Sequence, residues 1–281
     1  MDTSLWAGDP AGTLIMNGKF LSESDKPRAQ VFFANGPNGT NAVFDRSTLH
    51  VNVWFGKKLN VAMPIAVPVA HLNCERKEND LVVYMPEFGQ TTLTNQTGLE
   101  IIVRRDRISD ILDKSGSNLI PSDGFIISAS GERRELLLSL VKKGMQVSLL
   151  YQFNNAQMKG LDDAVAGVPQ LIKDGKIDIT WQEEKTTKSF VETRHPRTAV
   201  AKLKDGKFLM ITVDGRSESS GGISLNDLAA YLLELGATDA MNLDGGGSTT
   251  MFFDGKVVNH PSDKEGERKV SDAILVTLRK K

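Results

Sequence analysis

Asp244 closes the apolar run Ala240-Met241-Asn242-Leu243 and is followed by Gly245-Gly246-Gly247-Ser248-Thr249-Thr250, so a carboxylate stands at the end of a strand-like segment with three glycines behind it. Consecutive glycines have a large conformational entropy to lose on ordering, a cost that makes sense where the backbone needs positive φ or a ligand approaches it closely. The run reads either as the loop of a site or as a tight turn. Ser248 and Thr249 either contact phosphate oxygens or cap the following turn. In a regular strand Asn242 faces away from Met241 and Leu243, where it either bonds a sugar hydroxyl or serves as a buried structural amide.

Two other segments carry chemistry-bearing side chains. Asp214-Gly215-Arg216 follows a strand-like stretch, and Arg194-His195-Pro196-Arg197-Thr198 leads into the hairpin before it. Arginine binds phosphate or carboxylate through paired planar donors, and the N–H groups of a glycine loop add donors without charge, so the set suits an anionic substrate. Alternatively, Arg197 and Arg216 pair with Asp214 and Asp244 as a structural network. Two acids permit acid/base or nucleophilic work at a sugar carbon, and a phosphate leaving group needs less protonation than an alcohol. An Asp before Gly is also a common turn former. His195, before a proline, is either an acid/base or a structural histidine. The glycine loop has neither the Gly-Lys-Ser/Thr ending of a P-loop nor the Gly-x-Gly-x-x-Gly spacing of a dinucleotide site.

The chain has 281 residues, 40% hydrophobic and 25% charged, with a formal net charge of −1. This is the composition of a globular protein without an electrostatic footprint for nucleic acid. Cys74 is the single cysteine, which excludes an internal disulfide and a multi-cysteine metal site. His50, His71, His195 and His260 are scattered without the spacing of a helical metal site, so neither metal nor cofactor is expected. The opening Met-Asp-Thr-Ser-Leu-Trp has no basic and apolar regions of an export signal, and no apolar run approaches a membrane span.

The elements that must position these residues are mostly strands. Asn17-Gly18, Asp174-Gly175, Asp205-Gly206 and Asp254-Gly255 each predict a hairpin turn between apolar or alternating residues. Further strands are predicted over 50–55, 81–84, 100–103, 125–128, 146–150 and 273–278. One helix is predicted over 132–144, with acids first, lysines last and a terminal glycine. A second is predicted over 224–236, with Ser-x-x-Asp at its start and an apolar stripe at Leu225, Leu228, Ala229, Leu232 and Leu235. The order strand 208–213, helix 225–235, strand 240–243 predicts a parallel crossover that places Asp214 and Asp244 at the carboxyl ends of neighbouring strands. No repeat or linker divides the chain, which reads as one domain.

Arg-His-Pro-Arg-Thr-Ala-Val-Ala (194–201), Val-Asp-Gly-Arg (213–216), Gly-Gly-Ile-Ser-Leu-Asn-Asp-Leu-Ala (221–229) and Leu-Gly-Ala-Thr-Asp-Ala-Met-Asn-Leu-Asp-Gly-Gly-Gly-Ser-Thr-Thr-Met (235–251) occur in this order. Together they resemble the phosphodiester glycosidase family, including its bacterial members, with weaker matches across nearly the whole chain. The resemblance implies an α+β fold, a strand-rich mixed sheet with several hairpins and a few packed helices. It implies hydrolysis of a sugar-1-phosphodiester at the glycosidic C–O bond, without metal, on a sugar-phosphodiester or glycan substrate; the rival is a noncatalytic carbohydrate or phosphoglycan binding protein. On that likeness Asp214 and Asp244 are the catalytic candidates and Arg197 and Arg216 hold the phosphate. Asn242, Gly245, Gly246, Gly247, Ser248 and Thr249 bind substrate, and Asn73 and Thr92 reach the site from the first half. The family's usual Asn-Gly/Ala-Gly/Ser-Phe/Tyr-Phe strand would precede the segment that begins at Asp2, so the single domain 1–281 is expected to lack the first family strand. The family also suggests an envelope or secreted location. Neither the sugar nor the oligomeric state is legible.

Overall fold

The computed structural model describes residues 10, 12–36, 39–56, 65–155 and 161–277. The expected loss of a strand at Met1 lies outside the described residues. The chain divides into two compact units, one built on Thr13–Asp25 and Thr48–Lys159, the other on Lys26–Ser47 and Gly160–Lys281. The fold is α+β, with three α-helices and nineteen strands among the described residues.

The first unit opens with the hairpin β1 (Leu14–Met16) and β2 (Lys19–Ser22). Two long strands follow, β3 (Ser24–Gly36) and β4 (Gly39–Phe55), which contribute residues to both units. Next come β5 (Ile65–Pro68), β6 (His71–Leu72), β7 (Leu81–Tyr84), β8 (Leu99–Arg104), β9 (Arg107–Asp113), β10 (Gly124–Ala129), helix α1 (Gly131–Leu140) and β11 (Val147–Phe153). The end of β4 pairs with β5 and β11, while β6, β7, β10, β8 and β9 form a second sheet in that order. The pair β6–β7 is parallel and the other pairs of this sheet are antiparallel. Alternate residues Val51, Val53 and Phe55 of β4 pack with Leu99, Ile101 and Val103 of β8 in one buried cluster, as period-two patterning requires.

The second unit holds β12 (Asp163–Gly167), β13 (Gln170–Lys173), β14 (Lys176–Ile177), α2 (Lys188–Glu192), β15 (Arg197–Leu203), β16 (Phe208–Val213), α3 (Leu225–Glu234), β17 (Ala237–Asn242), β18 (Phe252–Phe253) and β19 (Lys256–Val257). Its main sheet runs β14-β13-β17-β15-β16. Both faces are covered. Ala199, Ala201 and Ala240 meet Leu225, Leu228, Ala229 and Leu232 of α3, small residues on the sheet letting the helix approach, whereas Val200 and Met241 meet Val31 and Phe44.

The predicted hairpins are all present. In three of them both turn residues hold positive φ: Asn17 at 52° and Gly18 at 74°, Asp174 at 49° and Gly175 at 71°, Asp254 at 49° and Gly255 at 79°. That conformation matches the twist of paired strands, and Asn-Gly or Asp-Gly adopts it at low cost. The 205–206 turn differs, with Gly206 at 83° and its N–H donating to Leu203 O at 2.9 Å in a longer loop.

Four expectations need correction. The crossover β16-α3-β17 exists, but β15 lies between the two strands and runs antiparallel to both, so Asp214 and Asp244 follow strands that point the same way without being neighbours. Helix α1 stops at Leu140 because Val141 turns extended, with φ −99° and ψ 148°, and is buried, leaving Lys142, Lys143 and Gly144 beyond the helix. Leu235 falls off the buried stripe of α3 as its C-cap and is 43% exposed. Residues 273–277 form no strand, which leaves Leu275 and Val276 exposed, and Leu278 lies outside the described residues.

The start of α3 matches its sequence signal: Ser224 Oγ accepts from Asp227 N at 3.1 Å and donates to the Asp227 carboxylate at 2.8 Å. Ser224→Ala should therefore cost about 1 kcal/mol of stability with an unchanged urea m-value, read from denaturation midpoints.

Candidate functional site

Because β15 is antiparallel to both neighbours, its first residue lies where β16 and β17 end. Arg197 pairs with Val213, and Ala199 pairs with Asn242. The segments carrying His195-Pro196-Arg197, Asp214-Gly215-Arg216 and Asp244-Gly245-Gly246 consequently share one edge of the sheet. His195 is held by reciprocal bonds with Ile223, at 3.3 and 3.0 Å. Gly246 N–H donates to Pro196 O at 3.0 Å, which ties the glycine loop to the same segment.

Local conformation explains two of the glycines. Gly246 has φ +60°, and a Cβ there would stand 3.0 Å from Arg216 Nη1. A Cβ on Gly247 would collide with the Asp263 carboxylate and the Arg268 guanidinium. Arg216 itself has φ 58°, a left-handed conformation that costs a side-chain-bearing residue roughly 1–2 kcal/mol.

These segments line a cavity of about 300 Å³ with the side chains of Phe190, His195, Arg197, Arg216, Asp244 and Arg268 and the chain at Pro196, Gly245 and Gly246. Arg197 is 2% exposed. Its Nη2 donates to Phe190 O at 2.6 Å and Thr193 O at 2.9 Å, its Nε to Ile223 O at 3.3 Å, and its guanidinium stands 4.8 Å over the Phe190 ring. Among the described residues neither Arg197 nor Arg216 forms an ion pair, so the expected alternative of a structural arginine–aspartate network is absent there. Burial first, and then the charge of Arg216, pushes the Arg197 guanidinium down to about 10, still cationic at neutral pH. A buried cation held by carbonyls and a ring, facing an open cavity, is electrostatically suited to an anion. His195 is shifted down by burial and then by Arg197 and Arg216, which favours the neutral ring; Arg216 Nη2 lies 3.4 Å from its Nδ1.

The two acids differ. Asp244 is exposed, lines the cavity and accepts from Gly245 N at 2.9 Å. Asp214 is engaged elsewhere: Oδ1 accepts from Asn259 Nδ2 at 3.2 Å and His260 N at 3.0 Å, and Oδ2 faces His260 Nδ1 at 2.9 Å. Asn242 is 1% exposed and donates to Val168 O at 2.6 Å and Leu243 O at 2.7 Å. Thr249 is buried and accepts from the Thr198 hydroxyl at 3.2 Å, while the Ser248 backbone closes the short 3-10 turn over Gly246–Ser248.

Asn73 and Thr92 belong to the first unit. Asn73 donates to Leu21 O at 2.9 Å and accepts from Met85 N at 2.7 Å, and buried Thr92 donates to Glu100 at 2.6 Å. The cavity also contains Phe190 and Arg268, which sequence reasoning missed, and His195, which it left between two roles. A short capped helix at Thr187 and an acid–arginine spacing at 263 and 268 were the available signals. Among the described residues no three His, Cys, Asp or Glu groups converge as for a metal, and no helix is long and apolar enough to cross a membrane.

An α+β unit with an arginine-lined cavity at one sheet edge is the class that this geometry defines. The chain belongs to the phosphodiester glycosidase family, whose model matches residues 97–277. It is 29% identical over 191 residues to the N-acetylglucosamine-1-phosphodiester alpha-N-acetylglucosaminidase of Bos taurus, covering 57% of this chain and 36% of that enzyme. It is 37% identical over 119 residues to an uncharacterized prophage-derived protein of Bacillus subtilis, covering 42% of this chain and 18% of that protein. An uncharacterized Rickettsia conorii protein is 28% identical over 217 residues, covering 74% of this chain and 69% of that protein. The chain thus spans well under half the length of the bovine and Bacillus relatives. In fold it resembles a putative exported protein of Burkholderia pseudomallei, with TM-score 0.76 at 22% identity, covering 93% of this chain and 60% of that one. A hypothetical Synechocystis protein gives TM-score 0.72 at 20% identity, covering 88% of this chain and 45% of that one.

Burial tends to raise the Asp214 carboxyl, but the N–H and ring of His260 and the Asn259 amide outweigh it and hold it below the usual carboxylate range. A depressed carboxyl adds stability above its unfolded value and loses it as pH falls through its folded value. The melting-temperature gap between the wild type and Asp214→Asn should therefore be constant above about pH 5 and shrink on acidification below about pH 4, followed by thermal melts across that range.

Proposed function

We propose that this chain hydrolyses a sugar-1-phosphodiester at the glycosidic C–O bond, releasing a free sugar. The observation that carries this reading is buried Arg197, an ion without an acid partner among the described residues, in one cavity with Asp244. Arg197 and Arg216 take the phosphate oxygens and stabilise the charge that gathers there as the bond breaks. The departing group is a phosphate monoester dianion, whose conjugate acid has a pKa of about 6, so it leaves at neutral pH without a proton from the protein. One cavity carboxylate then suffices: Asp244 stabilises the developing positive charge at the sugar carbon or takes the proton of the attacking water. Neutral His195 is a second proton acceptor at the same wall. Asp214 supports the site through Asn259 and His260, and Ser248 and the N–H groups of Gly245 to Gly247 are the remaining contacts for substrate. The bovine relative's name makes an N-acetylglucosamine-1-phosphodiester the first substrate to try.

One observation favours a second reading, phosphoglycan binding without turnover. Among the described residues a single carboxylate lines the cavity, where glycosidases that expel an alcohol use two. Incubation with the phosphodiester separates the readings, since free sugar supports hydrolysis and an intact bound ligand supports binding.

Asp244→Asn should reduce release of free sugar by about 10²–10⁴-fold, with the circular dichroism spectrum unchanged. Full activity in that variant would overturn the assignment. Arg197→Lys keeps a charge but loses the planar fork, and should lower kcat/KM by roughly ten- to a hundredfold, measured on the same substrate.

A further inference from the structure

Residues 259–268 form a strap beside the glycine loop: Asn259 and His260 hold Asp214, and Asp263 and Arg268 lie farther along it. Asn259 anchors its start, accepting from Met251 N at 2.7 Å and donating to Thr249 O at 2.9 Å as well as to Asp214. A turn then reverses the chain: Gly266, at φ +87°, donates its N–H to Asp263 O at 3.0 Å. The reversal brings Arg268 back onto Asp263, with Nε to Oδ2 at 2.8 Å and Nη2 to Oδ1 at 3.0 Å. This two-point fork lies against Gly247, in the space that any Cβ would fill. Arg268 lines the cavity, and its Nη1 has no hydrogen bond among the described residues.

We propose that the Asp263–Arg268 pair is a selectivity element that favours singly charged phosphodiesters over doubly charged phosphates; this rests on the cavity being the phosphate site. Arg268, oriented by its fork, offers the Nη1 edge to a phosphate oxygen. Asp263 cancels the added charge, so the strap supplies donors without raising the cavity's net charge. Arg197 and Arg216 set against Asp244 leave one positive charge, which matches a phosphodiester and falls one short of a phosphate dianion. Gly247 is required because the pair occupies the face of its backbone.

The test measures binding of dimethyl phosphate and of inorganic phosphate at pH 8 to the full chain by calorimetry or NMR titration, with thermal melts to confirm folding. Asp263→Asn should shift the ratio of the two affinities about three- to tenfold toward inorganic phosphate, as one uncancelled positive charge implies. Arg268→Ala should weaken both ligands and inorganic phosphate the more. A strap that only supports the fold would move both ligands alike, and an unchanged ratio in both variants overturns the inference. Arg197→Ala is the control: if it weakens both ligands while the strap variants leave the ratio unchanged, only the selectivity role fails. If it too binds as the wild type does, the phosphate site itself is wrong.

Discussion

Strand β15 is hydrogen-bonded on both sides, antiparallel to β16 and to β17, and the candidate site depends on that pairing. A strand that starts where its two neighbours end must bring three chain segments to one edge. Helix α3 carries the chain over β15 from one neighbour to the other, and its buried leucines hold it on the sheet. Each such leucine contributes about 1.5–3 kcal/mol on burial. The apolar packing therefore fixes the polar edge, although no polar residue of the edge belongs to the core clusters.

The edge is then shaped by what glycine permits. Gly246 supplies a positive φ that aims the loop back at Pro196, and Gly247 leaves room for a carboxylate and a guanidinium against the backbone. Gly215 lies equally close to another segment, since a Cβ on it would meet Gly222 at 2.8 Å. These are contacts between turns that approach more closely than side chains allow.

Much of this was legible from residue order. The Asp-Gly and Asn-Gly turns, the cap of α3 and the grouping of Asp244 with Arg197 and Arg216 depend on chemistry within a few residues of one another or on a family pattern. What was not legible depends on long-range pairing. Nothing near Asp214 announces that β15 separates it from the strand before Asp244, or that Asn259 and His260 occupy its carboxylate. Arg268 was not legible as a site residue because its place in the cavity depends on a turn at Gly266 and on a gap at Gly247, twenty-one positions before it. The early end of α1 has a similar origin, since Val141 leaves the helix to join a buried cluster.

Arg197 meets three carbonyls and a phenyl ring, all of them dipoles or quadrupoles. These dipoles take hydrogen bonds from Nε and Nη2 while leaving the charge uncancelled, and burying that charge disfavours the folded state relative to an unfolded chain in water. An anion that enters the cavity removes this penalty in the folded state alone. By linkage, the gain in folding stability grows with the ligand's concentration over its dissociation constant. On the proposed reading, affinity for the anion and resistance to unfolding are thus coupled through one guanidinium.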